Sequence, residues 1–80
     1  MRLPRDLSGA DLVKRLGRFG YGITRQTGSH LRLTSTTQGE HHITIPNHDP
    51  LRIGTLAAIL DNVASHHGLT RDALLHRLLE

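Results

Sequence analysis

The residues best suited to chemistry lie in one short stretch, Thr27-Gly28-Ser29-His30-Leu31-Arg32-Leu33. Gly28 supplies a turn, His30 follows at what reads as a strand's first exposed position, and Arg32 shares its face two residues on. An imidazole with an ordinary pKa of about 6.5 gives or takes a proton at neutral pH. An acid–base group beside a cation suits a phosphodiester that carries its own nucleophile, and RNA does so in its 2′-hydroxyl. The protein then needs only to deprotonate that hydroxyl, neutralise the phosphate and help the leaving oxygen, and a histidine with a nearby arginine supplies the first two without metal. DNA lacks the hydroxyl and is not cut this way. On the residues alone, a solvated strand histidine with no chemistry is the default reading. Ser29 and His30 do not read as a nucleophile–base pair, because adjacent strand residues point to opposite faces and no third group to orient them is evident.

Seven histidines in 80 residues also invite a metal reading. His41-His42 and His66-His67 are adjacent pairs, which point in different directions on a strand or regular helix. None shows the His-x-x-x-His spacing that sets two ligands on one helix face. His30, His42 and His48 could converge through a sheet, but nothing in the spacing requires it. No metal site and no cofactor are expected.

The elements around His30 follow from local pattern. Ser8 reads as a helix N-cap with Asp11 returning the bond, and Leu7 and Leu12 stand in the staple positions. Leu12, Leu16 and Phe19, with Val13, make one apolar stripe over Gly9–Phe19, and Gly20 is its left-handed stop. From Tyr21 the period becomes 2, with Tyr21 and Ile23 inward and Gly22 and Thr24 outward. Gln26-Thr27-Gly28-Ser29 reads as a hairpin turn. The next strand is His30–Ser35, with Leu31 and Leu33 inward and His30, Arg32 and Thr34 outward. The third is His41–Ile45, with Ile43 and Ile45 inward and His42 and Thr44 outward. A register slip of one residue would invert these faces. Pro46-Asn47-His48-Asp49-Pro50 ends the sheet. A helix over Ile53–Ala64 buries Leu56, Ile59, Leu60 and Val63. Thr70 caps a last short helix edged by Leu75, Leu78 and Leu79. The expected fold is α+β: a three-stranded antiparallel sheet with helices on its one apolar face, ordered α-β-β-β-α plus a short C-terminal helix, in a single domain over residues 1–80.

Composition narrows the partners. The formal net charge is +3, and residues 1–35 carry seven of the ten Arg and Lys against Asp6 and Asp11 alone. A basic half favours polyanions through phosphate contacts, although a merely solvated surface fits the charge equally well. Phe19 and Tyr21 are the only aromatics, so a platform of stacked rings for successive bases is not available. With no cysteine, disulfides, thiol catalysis and thiolate zinc sites are excluded. No apolar run is long enough to span a bilayer, and Pro4 and Asp6 interrupt the stretch where a signal peptide would need an apolar core. A soluble, unexported, cytoplasmic protein is expected.

The chain resembles the HicA toxin family of small RNA-cleaving toxins. The likeness rests on Asp11-Leu12-Val13-Lys14-Arg15-Leu16, Gly20-Tyr21, Gly28-Ser29-His30, Ile45-Pro46 with His48, Leu51-Arg52-Ile53-Gly54-Thr55-Leu56-Ala57-Ala58-Ile59-Leu60 and Gly68-Leu69-Thr70-Arg71. Their order and spacing cover about Ser8 to Leu79. The resemblance implies a fold like that of double-stranded-RNA-binding domains, metal-independent and ribosome-independent mRNA cleavage, and His30 as the catalytic residue. It also implies a HicB-type antitoxin that covers His30, in a hetero-oligomer. Unlike double-stranded-RNA-binding domains, Ile53-Gly54-Thr55-Leu56 carries no phosphate-holding lysines. The expected RNA contacts are therefore Arg25, Gly28, Ser29, Arg32, Arg52 and Gly54, the last letting a phosphate approach the helix closely. A domain that holds structured RNA without cutting it is the alternative.

Overall fold

In a computed structural model, which describes residues 2–79, the elements run α1 (Gly9–Leu16), a 3-10 turn (Gly17–Phe19), β1 (Gly22–Thr27), β2 (His30–Ser35), β3 (His41–Pro46), α2 (Ile53–His66) and α3 (Arg71–Leu79). The sheet is antiparallel in the order β1-β2-β3. Helices α1 and α2 pack on one of its faces, as expected from the one-sided alternation of β2 and β3, and α3 packs against both helices.

Each start and stop has a local cause. The Ser8 hydroxyl accepts from the Asp11 amide at 3.0 Å, and the Asp11 carboxylate accepts from the Ser8 amide at 3.4 Å, closing the capping box. Leu7 and Leu12 are both buried beside it. Gly20, at φ +88°, takes the left-handed stop. The Thr70 hydroxyl accepts from the Ala73 amide at 3.1 Å and starts α3. The core joins Leu12 and Leu16 of α1, Leu33 and Ile45 of the sheet, Leu56, Leu60 and Val63 of α2, and Leu74, Leu75 and Leu78 of α3, all essentially inaccessible to water. Side-chain ties lock the helices together. Arg15 donates to the Leu78 carbonyl at 2.9 Å, serving the C-terminal end of α3 where a cation is favoured. Arg71 and Asp61 join α3 to α2 through two bonds of 2.7 Å, and these hold the Asp61 carboxyl below the usual carboxylate range.

Three sequence expectations need correction. Ile23 does not face the core; it is 52% exposed, and every residue of β1 is exposed. The inner residues of β2 and β3 are buried under the helices, whereas β1 is the edge strand and its inward alternation buries nothing. Leu79 is likewise 40% exposed, because Leu74, Leu75 and Leu78 already fill the buried side of α3. The hairpin loop is shorter than the Gln26–Ser29 turn: Thr27 already pairs with His30, leaving only Gly28 and Ser29 between strands. In addition, α2 runs on to His66, beyond Ala64.

Candidate functional site

The sheet face away from the helices is open to solvent, and the β1–β2 turn places His30 at its corner. Gly28 has φ +55° while Ser29 keeps a negative φ, the sign pattern of a two-residue loop whose first position demands glycine. His30 then pairs with Thr27 on one side and Pro46 on the other. The Asn47 amide donates to the Ser29 carbonyl at 2.6 Å, tying the turn to the chain leaving β3. Only the backbone holds the residue: among the described residues no side-chain hydrogen bond or ion pair engages the exposed His30 imidazole. Both ring nitrogens are therefore open to a ligand.

Arg32 stands two residues along β2 on the same face, and Arg25 is its cross-strand partner. Strict alternation from Ile23 would send Arg25 to the opposite face. A β-bulge between Ile23 and Arg25 adds Thr24 as an extra residue and turns Arg25 outward. Arginines at directly opposed strand positions bring like charges to one place on the face, a placement that costs up to about 1 kcal/mol. A phosphate lying over the pair relieves that repulsion.

Farther along the open face lies a hydrogen-bonded chain that crosses all three strands. Thr24 and Thr34 share a bond of 3.0 Å, the Thr34 hydroxyl meets His42 Nδ1 at 2.7 Å, and His42 Nε2 meets the Glu40 carboxylate at 3.1 Å. His42 lies opposite Thr34, four residues from His30, so the two histidines stand about 13 Å apart along the strands. That is too far for both to act on one phosphodiester. Sequence reasoning placed His42 and Thr34 on the wet face but did not join them to Glu40. The Glu40-His41-His42 spacing, which puts Glu40 and His42 on one strand face, was the signal available.

Arg52 and Gly54 belong to the helical layer. Arg52 sits at the N-cap of α2 without a side-chain capping bond, and a Cβ at Gly54 would meet nothing within 4 Å. The backbone of residues 47–51 is bound to the segment leading into α1 through Gly9 to His48 and Leu51 to Leu7, each 2.8 Å. The predicted contact set is therefore divided: Arg25, Gly28, Ser29, His30 and Arg32 lie on the β1–β2 hairpin, whereas Arg52 and Gly54 lie on the other side of the sheet.

The histidines that gather do so elsewhere, at the end of the sheet away from His30. Tyr21 hydroxyl lies 2.6 Å from His41 Nδ1 and 3.1 Å from His67 Nε2, while His41 Nε2 lies 3.2 Å from the Asn62 amide oxygen. With His41 donating to Asn62, its Nδ1 accepts from Tyr21, and the phenol oxygen accepts from His67. His66 stacks on His41 at 4.2 Å. Among the described residues no group of three or more His, Asp or Glu side chains is arranged to hold a metal ion. A cavity of about 480 Å3 adjoins this cluster, lined among others by Arg18, Phe19, Gln38, His67 and Arg77. Burial pushes the Tyr21 phenol up. Partial burial, and then the proximity of His66 and His41, holds the His67 imidazole below the usual histidine range. The folded state thus binds this proton less readily than the unfolded chain. Its contribution to stability is complete above about pH 6.5 and declines as the pH falls through the lower folded value. Urea midpoints measured from about pH 7.5 down to 5.5 should fall, and His67→Gln should flatten that slope. A flat wild-type profile would contradict this account.

Comparison with known proteins adds one finding. A family model described as the HicA toxin of bacterial toxin-antitoxin systems matches residues 9–64, from the first residue of α1 to the last turn of α2, and so spans the whole sheet. No curated protein and no solved structure gives a significant match.

Proposed function

We propose that this chain, which belongs to the HicA toxin family of bacterial toxin-antitoxin systems, exerts its toxicity by cleaving mRNA, without metal and independently of the ribosome. The observation that carries this reading is the facing Arg25–Arg32 pair beside an unencumbered His30 on the uncovered sheet face. A phosphate over the two guanidiniums brings the adjacent ribose to the imidazole. His30 removes the 2′-hydroxyl proton, the 2′-oxygen attacks phosphorus, and the bond to the 5′-oxygen breaks. The products are a 2′,3′-cyclic phosphate and a 5′-hydroxyl, which takes back a proton. Developing charge on the phosphate is met by the arginines already in place.

The same face suits a HicB-type antitoxin that occludes His30 and presents acidic groups to Arg25 and Arg32, in the cytoplasm where messenger is made. A partner surface that proves neutral or basic would count against electrostatic capture.

The direct test incubates purified protein with end-labelled RNA in EDTA, beside DNA of the same sequence. Cyclic-phosphate ends on RNA and intact DNA are expected. RNA bound at low salt with no new ends would instead establish the binding-only module. Arg25→Thr offers a finer test, because one change should move two quantities in opposite directions. Removing the like-charge contact should raise stability by up to about 1 kcal/mol. Losing a phosphate contact should make the salt dependence of RNA binding shallower by about one unit of log–log slope. An unaltered salt slope would remove Arg25 from the interface.

A further inference from the structure

The open face holds a second constellation that the RNA chemistry leaves unused. Its hydrogen bonds have a direction. The ionised Glu40 carboxylate only accepts, so the ring nitrogen facing it, His42 Nε2, carries the proton. In the neutral ring Nδ1 is then a lone pair, and the Thr34 hydroxyl, 2.7 Å away, donates to it. Thr34 Oγ1 keeps lone pairs free, one of which meets the Thr24 hydroxyl at 3.0 Å, whose single proton is shared with the Arg32 carbonyl at 3.5 Å. Thr34 thus has its proton directed at a base whose other nitrogen is held by a carboxylate. That is the arrangement by which a hydroxyl becomes a nucleophile, and its geometry is recognised by roles rather than by fold. All three bonds fall within the reach such an array needs, and the face above them is solvent.

We propose that Thr34 is a nucleophile that accepts an acyl group, with His42 as its general base, Glu40 as the residue positioning His42, and an anionic acyl donor of the acyl phosphate class as substrate. The charge of the donor follows from Arg32, two residues back on the same face at about 7 Å, with Arg25 opposite it. Thr34 Oγ1 attacks the carbonyl carbon and passes its proton to His42 Nδ1. The tetrahedral adduct then collapses with cleavage of the bond from carbon to the phosphate oxygen. Phosphate leaves with the proton from His42, and Thr34 holds the acyl group as an ester. No oxidant or reductant takes part.

The test incubates the whole protein with acetyl phosphate at neutral pH and maps acetyl groups by peptide mass spectrometry. Lys14, the only lysine in the chain, and the amino terminus react chemically and serve as the internal reference. Acetyl on Thr34 is expected, reduced about 100-fold relative to Lys14 in His42→Ala. Glu40→Gln should lower it and Glu40→Asp restore it, a rescue that a merely structural role would not show. Arg32→Gln should weaken labelling by acetyl phosphate more than labelling by neutral p-nitrophenyl acetate. Label confined to Lys14 and the amino terminus overturns the proposal, as does Thr34 label undiminished in His42→Ala. A phosphoryl rather than acetyl group on Thr34 overturns the acyl assignment. The experiment contains no RNA, so its failure is separate from any failure of RNA cleavage.

Discussion

Replacing His30 with alanine should abolish RNA cleavage and growth arrest while leaving the fold intact. The imidazole is exposed, and no side-chain bond among the described residues depends on it. Removing such a group is expected to change stability by no more than about 0.5 kcal/mol. Losing a general acid–base group should slow cleavage by about 10²- to 10⁴-fold. RNA binding should persist with its salt dependence unchanged, because Arg25 and Arg32 are untouched. Induction in cells and cleavage of labelled RNA by the purified variant read the effect in two independent ways. If the alanine form still arrests growth and still cuts, His30 is not the acid–base group. If cleavage instead disappears in His42→Ala, the carboxylate-held histidine is the base.

Gly9→Ala should be strongly damaging, although the propensity of alanine for helices points the other way. Alanine is favoured over glycine in a helix interior by roughly 1 kcal/mol. A Cβ at Gly9, however, would overlap the Pro46 carbonyl oxygen and crowd the Pro46 carbonyl carbon and the Asn47 Cα at 3.1 Å each. These are backbone atoms, fixed by the Gly9–His48 bond of 2.8 Å and by the pairing of Pro46 with His30. The start of α1 cannot retreat without drawing Leu12 and Leu16 out of the core. Overpacking of this kind costs about 1–3 kcal/mol, and the expected loss lies at the upper end. For a domain of this size that lowers the melting temperature by on the order of 10–20 °C. Cleavage should fall as well, since any shift of Pro46 and Asn47 reaches His30 and the Ser29 carbonyl. Gly17→Ala is the control: a Cβ there meets nothing within 4 Å, and the φ of −56° suits alanine. If the two variants melt together, the close approach of α1 to the exit of β3 is not what holds this corner.

The sheet shows why some of the site could be read in advance and some could not. The inward and outward sides of β2 and β3 follow from alternation within each strand, so His30 and Arg32 were legible on the wet face. Arg25 was a candidate by charge alone, since alternation puts it inward. The bulge that turns it outward arises where an uncovered edge strand is matched against a partner lying across a turn. The Thr34–His42 pairing was equally hidden, because the loop between β2 and β3 does not specify which residues stand opposite. The likeness of the chain to the HicA toxins was legible from the order of its short motifs, and the family match over residues 9–64 agrees with it.

What the sequence determined by itself is whatever depends on a few consecutive residues: the capping box of Ser8 and Asp11, the periods of 3.6 and 2, and the turn at Gly28 that sets His30 at a strand's start. Backbone sterics and local hydrogen bonds act over such distances, and they leave few alternatives. Only the tertiary structure decided what stands beside what: Arg25 against Arg32, His42 between Thr34 and Glu40, Tyr21 between His41 and His67, Gly9 against Pro46. Those contacts depend on the register and packing of segments far apart in the chain, which a shared hydrophobic core settles collectively and no short stretch encodes.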